Sequence, residues 1–203
     1  AVIPLQRLRL MRAGLDASTD RDTKTSGSDL DFHRQMVSVF AAFRDLHTSY
    51  LLPSPYSNML AYLPFLVEPC VDLGRERFVV TRLIEKIGKS HFVPGVEITY
   101  WNGIPIRRAI ERIGERQGGS NSDAAFARGL HALTLRPLAR ALPPDEDWVG
   151  VGYRDINDEP REARFDWRLI DVTQDASAPD GEQTGVTRYR NLPAMGIDVE
   201  SAL

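Results

Sequence analysis

The stretch "FRDLHTSYLLP", residues 43 to 53, places an acid, an imidazole and three hydroxyl-bearing residues within six positions. Asp45 and His47 could act as an orienting carboxylate and a general base, because an imidazole with a pKa near neutrality both takes and returns a proton. Two residues apart on a helix, however, the side chains point in different directions. The residues alone leave two readings of His47 open: a catalytic base, or a histidine closing a helix against its dipole and last carbonyls. The other histidines, His33, His91 and His131, have no metal-ligand spacing relative to it or to one another. No cofactor and no metal are expected.

Other chemistries lack their signatures. The chain has no G-x-S-x-G elbow, no H-E-x-x-H, no P-loop and no G-x-G-x-x-G fingerprint. Cys70, the single cysteine, reads as a small hydrophobe in "FLVEPCVDL" and forms no internal disulfide. A net charge of -3 offers no field for phosphate backbones, so nucleic acid is not an expected partner. No apolar run approaches the ~18 residues of a membrane span. With 203 residues and 42% hydrophobic content, the chain can fill a sizeable core.

The elements that must position His47 follow from periodicity. Leu5, Leu8 and Leu15 suit a short amphipathic helix stopped at Gly14, and the polar "DASTDRDTKTSGSD" reads as a loop. Phe32, Met36, Val39/Phe40, Phe43 and Leu46 recur at helical spacing behind a Ser28/Asp31 capping box, predicting a helix of about four turns. His33 falls one residue off its apolar face, on the solvated side. Pro53 and Pro55 end the helix near 47 to 52, which puts His47 at its C-terminus or in the following turn.

From Ala61 the texture is that of strands. "AYLPFLVEPCVDLGRERFVVTRLI" predicts two strands around a turn at "DLGRE", and Val96 to Trp101 a third before the Asn102-Gly103 turn and an extended "IPI". A helix from about Arg107 buries Ile106, Ile110 and Ile113; a second starts at a Ser122 cap, carries His131 on its surface and loses regularity at Pro137. "WVGVGYRD" and "PREARFDWRLID" alternate as a hairpin offering Trp148, Val151, Tyr153, Phe165, Trp167 and Leu169 to the core. "TQDASAPDGEQTG" reads as an acidic linker, and the apolar ending at Leu203 suggests a chain cut from something longer.

Two motifs in this order resemble the N-terminal part of the carboxy-terminal processing (tail-specific) serine protease family, in its tricorn-core and chlamydial protease-like branch. "FRDLHTSY" matches a helix that ends in a leucine-aspartate-histidine type motif, and "PGVEITYWNGIPIRRAIE" resembles the closing half of a bacterial PDZ domain. The resemblance spans about residues 28 to 170 and implies an α+β fold. It comprises an N-terminal helical cap (1-60), a PDZ-like small β-barrel or sheet (61-172) with a helical insertion around 114-147, and a linker with the start of the next segment (173-203). It further implies that His47 is the general base of a serine endopeptidase. The nucleophilic serine and its partner acid would lie in a C-terminal α/β core outside this chain, which alone would be inert. The implied partners are that core and a polypeptide substrate, with self-association open; the alternative is a non-catalytic PDZ-like peptide-binding module. Two departures stand out. Leu46 occupies the position where that branch has a serine, with Thr48 and Ser49 following instead. "AYLPFLVE" has no glycine for a carboxylate-binding loop and puts Pro64 where a free amide is wanted.

Overall fold

The computed structural model describes residues 4–18 and 29–172. Two helices come first, α1 (Pro4–Ser18) and α2 (Asp29–Ala41). Nine short strands follow: β1 (Met59–Tyr62), β2 (Phe65–Asp72), β3 (Arg75–Leu83), β4 (Glu97–Trp101), β5 (Ile104–Pro105), β6 (Leu135–Pro137), β7 (Trp148–Arg154), β8 (Pro160–Asp166) and β9 (Arg168–Asp171). The helices α3 (Ile106–Gly114) and α4 (Ser122–Thr134) lie between β5 and β6. The fold is α+β, as expected, and its sheets are open: β2-β3-β4-β7-β8 with β5 beside β4 in one, β6-β1-β9 in the other.

Local turn chemistry builds the larger sheet. Leu73 and Gly74 sit at φ 49° and 77°, and Asn102 and Gly103 at 48° and 77°, the paired left-handed residues that let a two-residue turn match strand twist. Alternation then selects the buried face. Phe65 and Val67 of β2, Phe78 and Val80 of β3, and Val149, Val151 and Tyr153 of β7 are all buried. Their centre is aromatic, with Phe65 4.9 Å from Phe92 and 4.8 Å from Phe165 between ring centroids, in edge-on contact.

Helices α3 and α4 cover this face with Ile106, Ile110, Leu130 and Leu133. They approach so closely that a Cβ on Gly129 would lie 2.3 Å from the Ile110 carbonyl oxygen, and one on Gly114 2.4 Å from that of Ala125. At an open helical site Gly→Ala would gain up to about 1 kcal/mol. Here Gly129→Ala must push the helices apart, and urea titration is expected to show a loss of about 2 kcal/mol, in the range of overpacked cores. A stabilised variant would contradict this packing.

Helix α2 buries Val39, Arg7 Nη1 of α1 donates to Ser38 Oγ of α2 at 2.7 Å, and Arg34, paired with Asp31 within α2 at 2.9 Å, reaches Asp145 at 3.4 Å.

Several expectations require correction. Helix α1 continues through Gly14 to Ser18. Helix α2 stops at Ala41, well short of His47, because Phe43 and Arg44 fold back onto the carbonyls of Phe40 and Ala41 and Arg44 enters the left-handed region at φ 53°. Phe43 and Leu46, expected on the buried stripe, are therefore exposed. His33 is buried, at 8% exposure, rather than solvated. The cap of α4 is Asn121, whose side chain accepts from the Asp123 and Ala124 amides, and the segment up to Pro137 is strand β6. Trp148 is 42% and Leu169 59% exposed; Val149 takes the inward place beside Val151, since Trp148 has the opposite parity. The Ser28 cap and the acidic linker from 173 lie outside the described residues.

Candidate functional site

The loop that carries His47 is organised by one carboxylate. Asp45 Oδ1 accepts the His47 backbone N–H at 3.0 Å, a turn that an aspartate side chain makes with the amide two residues on. The same oxygen lies 3.1 Å from His47 Nδ1, and Oδ2 accepts the Thr48 hydroxyl at 2.6 Å. These bonds hold the Asp45 carboxyl down at about 2, the Thr48 hydroxyl contributing most, then the His47 amide and ring. An ionised carboxylate only accepts, so Nδ1 carries the hydrogen of the neutral ring and Nε2 is left with a free lone pair. The His47 side chain is 96% exposed. An acid thus orients an imidazole whose far nitrogen is open to a reactant, the relation required of a base and its orienting carboxylate.

The correction to the sequence reading is physical. Asp45 and His47 diverge on a helix but meet once the chain has left it. The Asp-x-His-Thr spacing carried a usable signal, as Asp bonding the amide two residues on is a recurrent turn.

Neighbouring elements brace the loop. Tyr50 OH lies 2.8 Å from His33 Nδ1 on α2, inside a ring cluster with Phe32 and Tyr56. Leu52 is buried and its amide donates to the Ala139 carbonyl at 2.9 Å. Leu46 packs at Gly119, where a Cβ would come within 3.2 Å of its side chain. Among the described residues no hydroxyl or thiol bonds to His47 Nε2. His91, 3.8 Å from Asp155, and His131 on α4 lie on other elements, and no three metal-ligating side chains cluster among the described residues. Cys70 is a half-buried thiol on β2.

The Asp45 bonds give a pH prediction. A folded-state pKa lowered below the ordinary carboxylate value stabilises the loop above about 4, and that contribution disappears as the pH falls toward 2. In an NMR titration the His47 and Thr48 amides are expected to shift with a midpoint near 2, and Asp45→Asn to abolish the transition. A midpoint at the ordinary aspartate value would show that the bonds do not persist in solution.

A second feature lies on the sheet. Strand β2 is at the end of its sheet, with α4 running beside it. The turn ahead of β2 is closed: the Leu63 amide donates to the Thr134 carbonyl at the end of α4 (2.8 Å), and the Pro64 carbonyl accepts from Ile84 (2.9 Å).

Comparisons agree with this architecture. Among solved structures the chain is similar to mature CPAF, at 18% identity and a TM-score of 0.57 over 87% of this chain and 33% of that one. It is equally similar to mature CPAF complexed with lactacystin (TM-score 0.57, 18% identity, 87% and 33% covered). A CPAF mutant gives 0.56 at 18% identity over 79% of this chain and 28% of that one. The chain therefore spans about a third of the length of these structures. No curated protein matches it. Residues 59–180 match the PDZ domain profile, and with a strand-and-helix arrangement to fit, the chain belongs to the PDZ domain family.

Proposed function

We propose that this chain is the N-terminal, PDZ-containing part of a serine endopeptidase of the tail-specific family, in its tricorn-core and chlamydial protease-like branch. The observation that carries this reading is the Asp45–His47 pair at 3.1 Å on an exposed loop, with Nε2 unobstructed. The likeness to CPAF, a chlamydial serine protease, supports it at the level of the fold. In this reading the region 61-172 offers the substrate a binding surface. His47 acts as general base toward a serine in a catalytic core beyond this chain: Nε2 takes the hydroxyl proton during attack and returns it to the leaving amine. Asp45 holds the ring in this chain, and the partner acid of the core would stabilise the imidazolium that forms in between.

The test uses the protein extended through its core, assayed on a fluorescence-quenched polypeptide. Activity is expected in the long form, none in the 203-residue chain, and near-complete loss on His47→Ala. Retained activity in that variant rejects the assignment.

The edge strand β2 favours a second reading, a peptide-binding module without catalysis. Under it the long form binds polypeptides but cuts none.

A further inference from the structure

We propose that the cavity between α2, the turn after α3 and the turn after β6 binds a small free oxyanion of tetrahedral shape, phosphate or sulfate. The cavity measures about 40 Å³; Arg116, Gln117, Arg136 and Arg140 line it, with Val37 and Ile113 among its apolar walls. Among the described residues no carboxylate lines it. Such a volume is room for about three waters, enough for an anion of that size and too little for a nucleotide.

Arg136 is the central group. Its guanidinium lies 4.8 Å from the centre of the Trp167 ring, and Nε donates to the Ala132 carbonyl at 2.9 Å. Among the described residues neither Nη atom has a hydrogen-bond partner. Burial pulls the guanidinium down to about 10; Asp145 and Glu146 act in the opposite direction without pairing with it, and the Arg116 charge adds to the fall. Arg136 is therefore a cation at neutral pH, largely out of water, with the N–H groups of both Nη atoms unspent. A charge so placed is stabilised by an anion that accepts from it.

The neighbouring acids are engaged elsewhere. Asp145 accepts from Arg116 Nη1 at 2.8 Å and from Arg34 at 3.4 Å, and Glu146 accepts from Asn102 Nδ2 at 3.2 Å. The arginines come from the turn after α3, from β6 and from the turn after β6. Donors brought from three separate segments suit the oxygens of a tetrahedral anion better than the two coplanar oxygens of a carboxylate. The site also adjoins the His47 loop. Arg116 and Gln117 open a run in which a Cβ on Gly118 would lie 3.3 Å from the Asp45 carbonyl oxygen, and one on Gly119 3.2 Å from the Leu46 side chain. An anion held at Arg116 thus steadies the wall on which that loop rests.

The test is an NMR titration of the intact 203-residue chain with sodium phosphate, at an ionic strength held constant with sodium chloride. Saturable shifts are expected at the Arg136 Nε–H and at the Gln117, Gly118 and Gly119 amides, with a dissociation constant below about 2 mM. Arg116→Gln changes a side chain that is 61% exposed, so the variant is expected to fold. It should weaken binding about 5- to 20-fold, the worth of one charge-assisted hydrogen bond at a partly exposed site. Arg164→Gln, on β8, is expected to leave the affinity unchanged. Acetate, standing for the acidic side chain of a polypeptide, should bind at least about fivefold more weakly than phosphate. Shifts that do not saturate by about 20 mM phosphate, an unchanged dissociation constant in Arg116→Gln, or acetate binding as tightly as phosphate would each overturn the proposal.

Discussion

His47→Ala, in the protein joined to its catalytic core, is expected to lower kcat/KM by about 10⁴- to 10⁶-fold, with KM nearly unchanged. Removing the base of such a constellation leaves only the binding and oxyanion contributions of the rest of the site. The loss should fall on kcat because the imidazole matters when the serine hydroxyl is deprotonated, and its exposed ring contributes little to holding ground-state substrate. The same substitution should leave stability almost untouched, since nothing packs on a side chain so exposed. That pairing of a large kinetic and a small thermodynamic effect separates a catalytic base from a histidine that merely ends a structural element. Steady-state kinetics and a thermal melt on one preparation decide it. A shifted melting temperature with kcat retained would assign His47 to structure.

Phe65→Ala is expected to have the opposite signature. Phe65 is fully buried and touches Phe92, Trp101 and Phe165, so its removal opens a cavity at the aromatic centre of the core. A buried Phe→Ala change costs about 3–5 kcal/mol, a large part of the ~5–15 kcal/mol that holds a domain together. Guanidinium titration should show a midpoint displaced far toward water, or no folded baseline. A loss below about 1 kcal/mol would place Phe65 outside the core. Because Phe65 directly follows Pro64, a partly folded variant is also expected to lose whatever peptide binding β2 supports.

Much of the sheet was legible because its determinants are local. The "DLGRE" and "WNGI" turns need left-handed residues at two adjacent positions, and Leu73-Gly74 and Asn102-Gly103 supply them. The hairpin of β7 and β8 was legible from alternation, yet its parity was misjudged at Trp148, where a large aromatic points outward and stacks under Arg164 at 4.3 Å. The end of α2 was not legible. The apolar spacing continues through Phe43 and Leu46, and only the competing turn at Arg44 breaks it. His33 was misread for a related reason: its partner Tyr50 lies on a loop that periodicity cannot place.

By itself the sequence determined the two N-terminal helices, the β2–β3 and β7–β8 hairpins, the residue types near His47 and the "VEITYWNGIPI" pattern of a PDZ half, because period, turn residues and proline act over a few positions; it did not separate β1, β6 and β9 into a second sheet. The tertiary structure alone decided that His33 is buried against Tyr50, and that the Leu63 amide is already taken by Thr134. Both outcomes depend on where hydrogen-bond partners from separate elements end up. A free donor and an occupied one are identical in sequence and differ only once the chain has folded.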